Sequence, residues 1–578
     1  MAERILSPGV FSRENDLSFL TPAPAEISTA IVGPTAKGPV NIPTVVSSYG
    51  EYLNVFGGAF QSGSDYYQHF TSLAAEKYFE QGGSSLLVHR VASGSWSPAS
   101  ASITSASVEL FSLATLAEGE VMNNSGSAMA LSNNALVSGS VDNVRWEITG
   151  AASGSGTFSL VIRRGDDNEK NKIILESYPA LSLDPKSPNY VAKVIGDMYY
   201  ENTSGVVTSV GEYPNVSKYV RVKNVAVKTP DYFDNNGQPK AAYTVHFANA
   251  VAGTSGSEYG TFTAAEGQLF QPTVAGAFGG STIAAGTESQ GIDPTQAGTY
   301  DLAATTLSNR DEYRFNVLLT PGIYEQWHSS QVGGFIDMVE NRGDAIYVAD
   351  MVSYGGTQGA AQGYALGLNS SFAATYWPWT KVRSQELGKD IWTPASTVMG
   401  GVFAFSDRVG AEWFAPAGLL RGGIPGVVMA ERKLSQANRD DLYLSKVNPI
   451  ATFPGTGVVA YGQKTLQTKA SALDRINVRR LLINLKNFIG EQANTLVFEQ
   501  NTIATRNRFL ANVNPYLETV VQRQGLYTYR VVMDDSNNTA DVIDRNQLIG
   551  QIYIQPTKTA EFIVLDFVVQ PTGATFNV

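Results

Sequence analysis

Two long stretches of this 578-residue chain contain no Lys or Arg, one from Val91 to Val144 and one from Ala241 to Asn309. On both outer sides of them the apolar residues recur as alternating strands and helices. Any layered core must therefore be assembled from segments far apart in sequence, with the cation-free material carried as an insertion. From Ile27 a short apolar run closes at Gly33-Pro34, and a second covers Thr44 to Val46. Tyr66, Phe70, Leu73, Ala74 and Tyr78 then recur at a spacing that predicts a helix over 65–81, ended by Gly82-Gly83 and followed by a buried strand at Leu86-Leu87-Val88. The same grammar resumes with a strand at Phe315 to Leu319, a helix carrying Val332, Phe335, Ile336 and Val339, and a strand from Ala345 to Val348. An aromatic strand, Phe372 to Trp379, precedes a helix with Val398, Val402, Phe403 and Phe405 that continues toward Trp413.

Residues 25–92 and 301–455 are thus expected to form one discontinuous central α/β domain. Residues 93–300, rich in Ser, Ala, Gly, Asn and Thr, are expected to form a β-rich outer insertion of one or two subdomains. Its clearest strands are Phe158 to Ile162 and Lys172 to Leu175, before a proline-punctuated link from Tyr178 to Tyr190. After Gly462 the pattern is more regular. Ile476, Leu481, Leu482, Leu485 and Ile489 make one helical stripe, and Ile503, Phe509, Leu510, Val513, Leu517 and Val520 make another that stops at Gly525. Strands at Tyr527 to Met533, Ile549 to Ile554 and Phe562 to Val569 complete a small α+β domain over 456–569. Residues 1–24, with Pro8-Gly9 and Thr21-Pro22-Ala23-Pro24, read as an extended arm, and 570–578 as a second one. The fold class is mixed α/β and α+β, multidomain.

Chemistry finds little foothold. There is no cysteine, and His69, His89, His246 and His328 each stand alone, without a partner at metal-ligand spacing. The run Gly355 to Gly363 lacks the Walker lysine and reads as a flexible loop. Asp534 to Asp541 lacks the glycine and terminal glutamate of a calcium loop and reads as a turn. The neighbours Asp166-Asp167 and Asp440-Asp441 read as solvated acidic surface. No Gly-x-Ser-x-Gly elbow is present. The expectation is a protein that is not an enzyme and takes no cofactor or metal. A net charge of −11 disfavours nucleic acid, and no apolar run is long enough to insert in a membrane. The start has no apolar leader, so the chain is expected to be assembled in the cytoplasm of its producer.

Charge placement is the feature that stands out. Lys464, Lys469, Arg475, Arg479, Arg480, Lys486, Arg506, Arg508 and Arg523 face only Asp474, Glu491, Glu499 and Glu518 between Gly462 and Gly525. A basic segment lies within an acidic protein, with Arg475, Arg479 and Lys486 spaced to share a helix side. Two readings stand beside each other, a solvated helix face and a docking face for an acidic partner. Extended ends that bury nothing alone can donate strands to a neighbour's sheet edge, here at Val10, Phe11 and Ser12 and near Phe562 and Val564.

Several segments together resemble the contractile phage tail sheath protein family. They are Ser7-Pro8-Gly9-Val10-Phe11, Ile31-Val32-Gly33-Pro34-Thr35-Ala36-Lys37-Gly38-Pro39, Pro43 to Ser48, Phe56-Gly57-Gly58, Ala75 to Gly83 and Lys558-Thr559-Ala560-Glu561-Phe562-Ile563-Val564. The resemblance implies a structural subunit that stacks as hexameric rings around an inner tail tube and contracts to drive it through a host envelope. It implies contacts with the tube, baseplate and tail terminator proteins, a place in the virion tail sheath, and assembly in the host bacterial cytoplasm. It also implies a tube-docking role for Arg475, Arg479, Arg480 and Lys486. The alternative is another virion component: a capsid, fibre or tail decoration protein.

Overall fold

The computed structural model describes residues 29–62, 65–92, 96–105, 108–118, 144–165, 167, 171–247, 268–269, 271–272, 289–424 and 426–561. Val10, Phe11, Ser12, Phe562 and Val564, and with them both arms and the strand expected at Phe562 to Val569, lie outside the described residues.

An eight-stranded sheet organises the molecule. Its order is Thr44–Val46, Leu86–Arg90, Thr29–Gly33, Val317–Tyr324, Ile346–Asp350, Ala373–Trp377, Asn448–Phe453 and Gly457–Ala460. The central strands are parallel and the two edge strands antiparallel. Thr29 pairs with Val317, so the sheet closes across the long intervening sequence. Buried on both faces, the parallel strands are apolar without interruption, and their side chains alternate between two cores. Ile31, Val317, Leu319, Ile346 and Val348 meet the helices Phe70–Glu80 and Ala395–Val409. Ala30, Val32, Leu318, Tyr347 and Ala349 meet the helices Tyr300–Leu307, Glu325–Arg342 and Gln358–Gly367. The Ala395 and Phe70 helices cross closely enough that a Cβ on Gly401 would stand 2.7 Å from the Lys77 carbonyl oxygen.

The sequence between the two halves of the large sheet builds two four-stranded antiparallel sheets. One runs Ile174–Ser182, Thr157–Arg164, Val144–Ala152, Gln268–Leu269, and the other Val220–Val225, Val108–Glu118, Pro98–Ser105, Gln271–Pro272. They share a core around Phe111, Trp146, Phe158, Ile162 and Val222. The chain is a mixed α/β protein with several sheets.

Local readings needed correction in four places. The helix predicted over 65–81 begins at Phe70, because Asp65–Tyr67 pairs with Phe60–Ser62 as a hairpin whose aromatic spacing mimics a helical one. The strand at Ile174 passes through Pro179 into the expected link, since a bulge between Tyr178 and Leu181 takes up the proline and Ala180, whose φ is 54°. Gln358–Gly367, read as loop, is a helix, capped where Thr357 Oγ1 accepts from Ala360 N and held by buried Ala361 and Ala365. Asp167 is buried rather than solvated. It takes two hydrogen bonds from Arg163, whose third nitrogen reaches Glu147 at 2.8 Å. Asp440 and Asp441 are exposed.

Candidate functional site

The basic segment folds as a helical hairpin, Ile476–Asn494 and Ile503–Gln522, against the two-stranded sheet Leu526–Val532 and Gln551–Pro556. Phe509, Val513, Leu517 and Val520 supply one stripe of its core, with Leu481, Leu485 and Leu526 opposite. The Ile476 helix has a second commitment, because Ile476 and Ile483 belong to the core of the large sheet. Its first half is therefore covered on two sides, and burial falls away after Leu485.

That double coverage decides what each cation does. Arg475, at the N-cap position, donates through Nε and Nη2 to the two oxygens of Glu561 at 2.7 and 3.0 Å. Arg479 is buried with its guanidinium 3.8 Å from the centre of the Phe372 ring and a hydrogen bond to Ser371; burial pulls it down to about 10. Arg480 is 2% exposed and pairs in bidentate fashion with Asp407 at 2.8 and 2.6 Å. Lys486, past the buried half, is exposed. The four residues share a helix but not a surface: the arginines tie the hairpin to the large sheet and to Glu561, and Lys486 faces out. Asp407 and Glu561 are partners that sequence spacing could not nominate, since they lie 73 and 86 residues away.

Three of the four histidines, His69, His89 and His328, are buried. His69 and His89 are fully buried, and burial holds both down to about 3. His328 accepts from Tyr324 N at 3.1 Å. Asp534 closes a turn by accepting from Ser536. Among the described residues no group of three His, Asp or Glu is placed to hold a metal, and no helix is long and apolar enough to cross a membrane.

These features define a mixed α/β protein whose buried charges fasten one element to another. Residues 468–570, the hairpin and its strands, match the phage tail sheath C-terminal domain family. Over about a third of its length the chain is similar to phage tail sheath proteins. It is 43% identical over 185 residues to the tail sheath protein of Vibrio phage KVP40 and 41% identical over 186 residues to that of Enterobacteria phage T4. Each match takes in 32% of this chain and 28% of the relative, so less than a third of either relative's length is spanned. The crystal structure of a sheath tail protein from Listeria innocua shares the fold. It matches at a TM-score of 0.51 and 10% identity over 92% of this chain and 96% of that one.

Proposed function

We propose that the protein is the structural, non-catalytic subunit of a contractile tail sheath, stacking as hexameric rings around an inner tube in the virion tail. Assembly would take place in the host cytoplasm, with baseplate and tail terminator proteins as further partners. The observation that carries this reading is the family match over the helical hairpin and its strands. In it, residues 25–92 and 301–455 form the central domain, 93–300 the outward insertion, and 456–569 the inner, tube-facing domain. The arms 1–24 and 570–578 thread into neighbours, with strands donated at Val10, Phe11 and Ser12 and, at the end of the C-terminal domain, at Phe562 and Val564. Contraction increases burial between subunits and needs no nucleotide. Tube docking falls to the hairpin, with Lys486 as the contacting cation and Arg475, Arg479 and Arg480 as the residues that position its helix. Electron microscopy of the purified chain tests the whole reading. Hollow helical tubes are expected, while closed shells or lumenless rods would point to another virion component. Lys486→Glu should reduce co-assembly with the tube protein without lowering the melting temperature; unchanged co-assembly discards the docking residue.

A further inference from the structure

The turn between the two hairpin helices presents Phe498 fully exposed, with φ at +73°, beside exposed Val497 and Ile503. A left-handed backbone disfavours a bulky aromatic by about 1–2 kcal/mol, and complete exposure returns nothing within the subunit. The turn is nonetheless held in one shape. Val497 N donates to Asn494 O and Glu499 N to Leu496 O. Asn501 Nδ2 donates to Gln547 O at 2.8 Å and its Oδ1 accepts from Arg506 Nε at 2.8 Å. An aromatic side chain on a rigid projecting turn has the character of an interface anchor, since little freedom is left to lose on binding.

At the other end of the same hairpin lies a groove of about 1070 Å³ walled by Trp413, Phe414, Tyr461 and Tyr527. Gln463 and Asn477, which also line it, carry buried side-chain oxygens, Oε1 and Oδ1, that find no hydrogen-bond partner among the described residues. Buried acceptors in that condition call for a donor from outside. Gln500, exposed beside Phe498, carries amide donors. The charges are complementary too. Glu499 is half-exposed next to Phe498, with Arg508 at 3.8 Å as its neighbour. The groove is bordered by Lys558, Arg421 and Arg439 against a single uncommitted acid, Asp440, because Glu561 is engaged by Arg475 and Gln463.

The turn precedes Ile503 and the groove is lined by Val521, so the length of one helix, about 27 Å at 1.5 Å per residue, separates knob from groove. They cannot meet within one chain. A contact between different patches of identical molecules repeats head to tail and builds rings or helical filaments.

We infer that the Val497-Phe498 turn of one copy inserts into the groove walled by Trp413 and Tyr527 of the next. This rests on the self-assembling reading above and adds a contact made by folded parts of the subunit. The turn fills the groove with an aromatic ring, and Glu499 pairs with Lys558 across the boundary.

The test compares polymerisation of the full-length chain with that of its variants, by sedimentation and electron microscopy. Phe498→Asn should raise the critical concentration for assembly at least tenfold while keeping or raising the subunit's melting temperature, because asparagine suits a left-handed backbone and no intramolecular packing is removed. Glu499→Lys and Lys558→Glu should each weaken assembly, and the double reversal should restore it. Normal assembly of Phe498→Asn, or no rescue by the double reversal, overturns the contact and leaves the sheath reading standing. The second result would be expected if the residues beyond Glu561 occupy the groove instead. A parent chain that never self-associates overturns both.

Discussion

Arg480 and Lys486 lie on one helix, carry the same charge, and have opposite surroundings. Arg480 is sealed between Asp407 and the Phe403 ring, its guanidinium carbon 4.9 Å from the ring centre. Removing one partner of a buried pair leaves the other charge unsatisfied, which costs about 3–5 kcal/mol. Asp407 keeps 21% of its side chain exposed, which places the expected loss for Arg480→Ala at the lower end of that span. Lys486→Ala should change stability by less than about 0.5 kcal/mol. Denaturant melts of the two variants read the difference directly, and equal losses would contradict the assigned burial. The sequence identified this segment as unusually basic, but the pattern that put Arg475, Arg479 and Lys486 on one side could not tell which of them would face a second core. Spacing describes a helix; coverage belongs to its neighbours.

At the scale of elements, the close approach of the Ala395 and Phe70 helices in the molecule's main core is set by Gly401. A methyl there would meet the Lys77 carbonyl oxygen, a backbone atom of the facing helix that cannot rotate away. Gly401→Ala should therefore cost about 1–3 kcal/mol through forced separation of the two helices. Replacement of half-buried Gly490 by alanine, whose Cβ would meet nothing within 4 Å, should be neutral or slightly stabilising. Thermal denaturation of both variants checks the contrast. The main strands and helices of this core were legible because the strands are short uninterrupted apolar runs and the helices repeat their apolar residues every three to four positions. The misread places share a cause. The hairpin at Asp65, the bulge at Pro179 and the cap at Thr357 are local devices whose geometry overrides the average preference of the residues around them.

Across the whole molecule, buried titratable groups pull in opposite directions with pH. Asp350 is fully buried and accepts from Ser396 N and Oγ at the start of the Ala395 helix; burial raises it to about 7, and burial does the same to Glu325. A raised folded pKa means these carboxyls favour the folded state at low pH and lose that contribution as pH rises from about 4 toward 7. His69 and His89, held down to about 3 by burial, favour folding above about 6.5 and lose their contribution as pH falls from there. Between roughly pH 4.5 and 6.5 the two sets largely offset each other. Asp350→Asn removes one arm of that balance. Relative to the parent, its stability should increase with pH between about 4 and 7, by up to about 1.4 kcal/mol per unit, and level off above. Melting temperatures taken across that range decide it, and a constant difference would show that Asp350 does not titrate there.

The sequence by itself determined the alternating strand and helix grammar on both sides of the cation-free stretches, the hairpin of the basic segment, and the absence of cysteine chemistry, because each is a matter of residue type and local period. Only the tertiary structure decided that Thr29 pairs with Val317, that Asp167 is buried among arginines, and that Arg480 belongs to Asp407 while Phe498 is left bare. Those outcomes depend on which surfaces meet after long loops have closed, and the free energy of such a meeting is not written in any window of neighbouring residues.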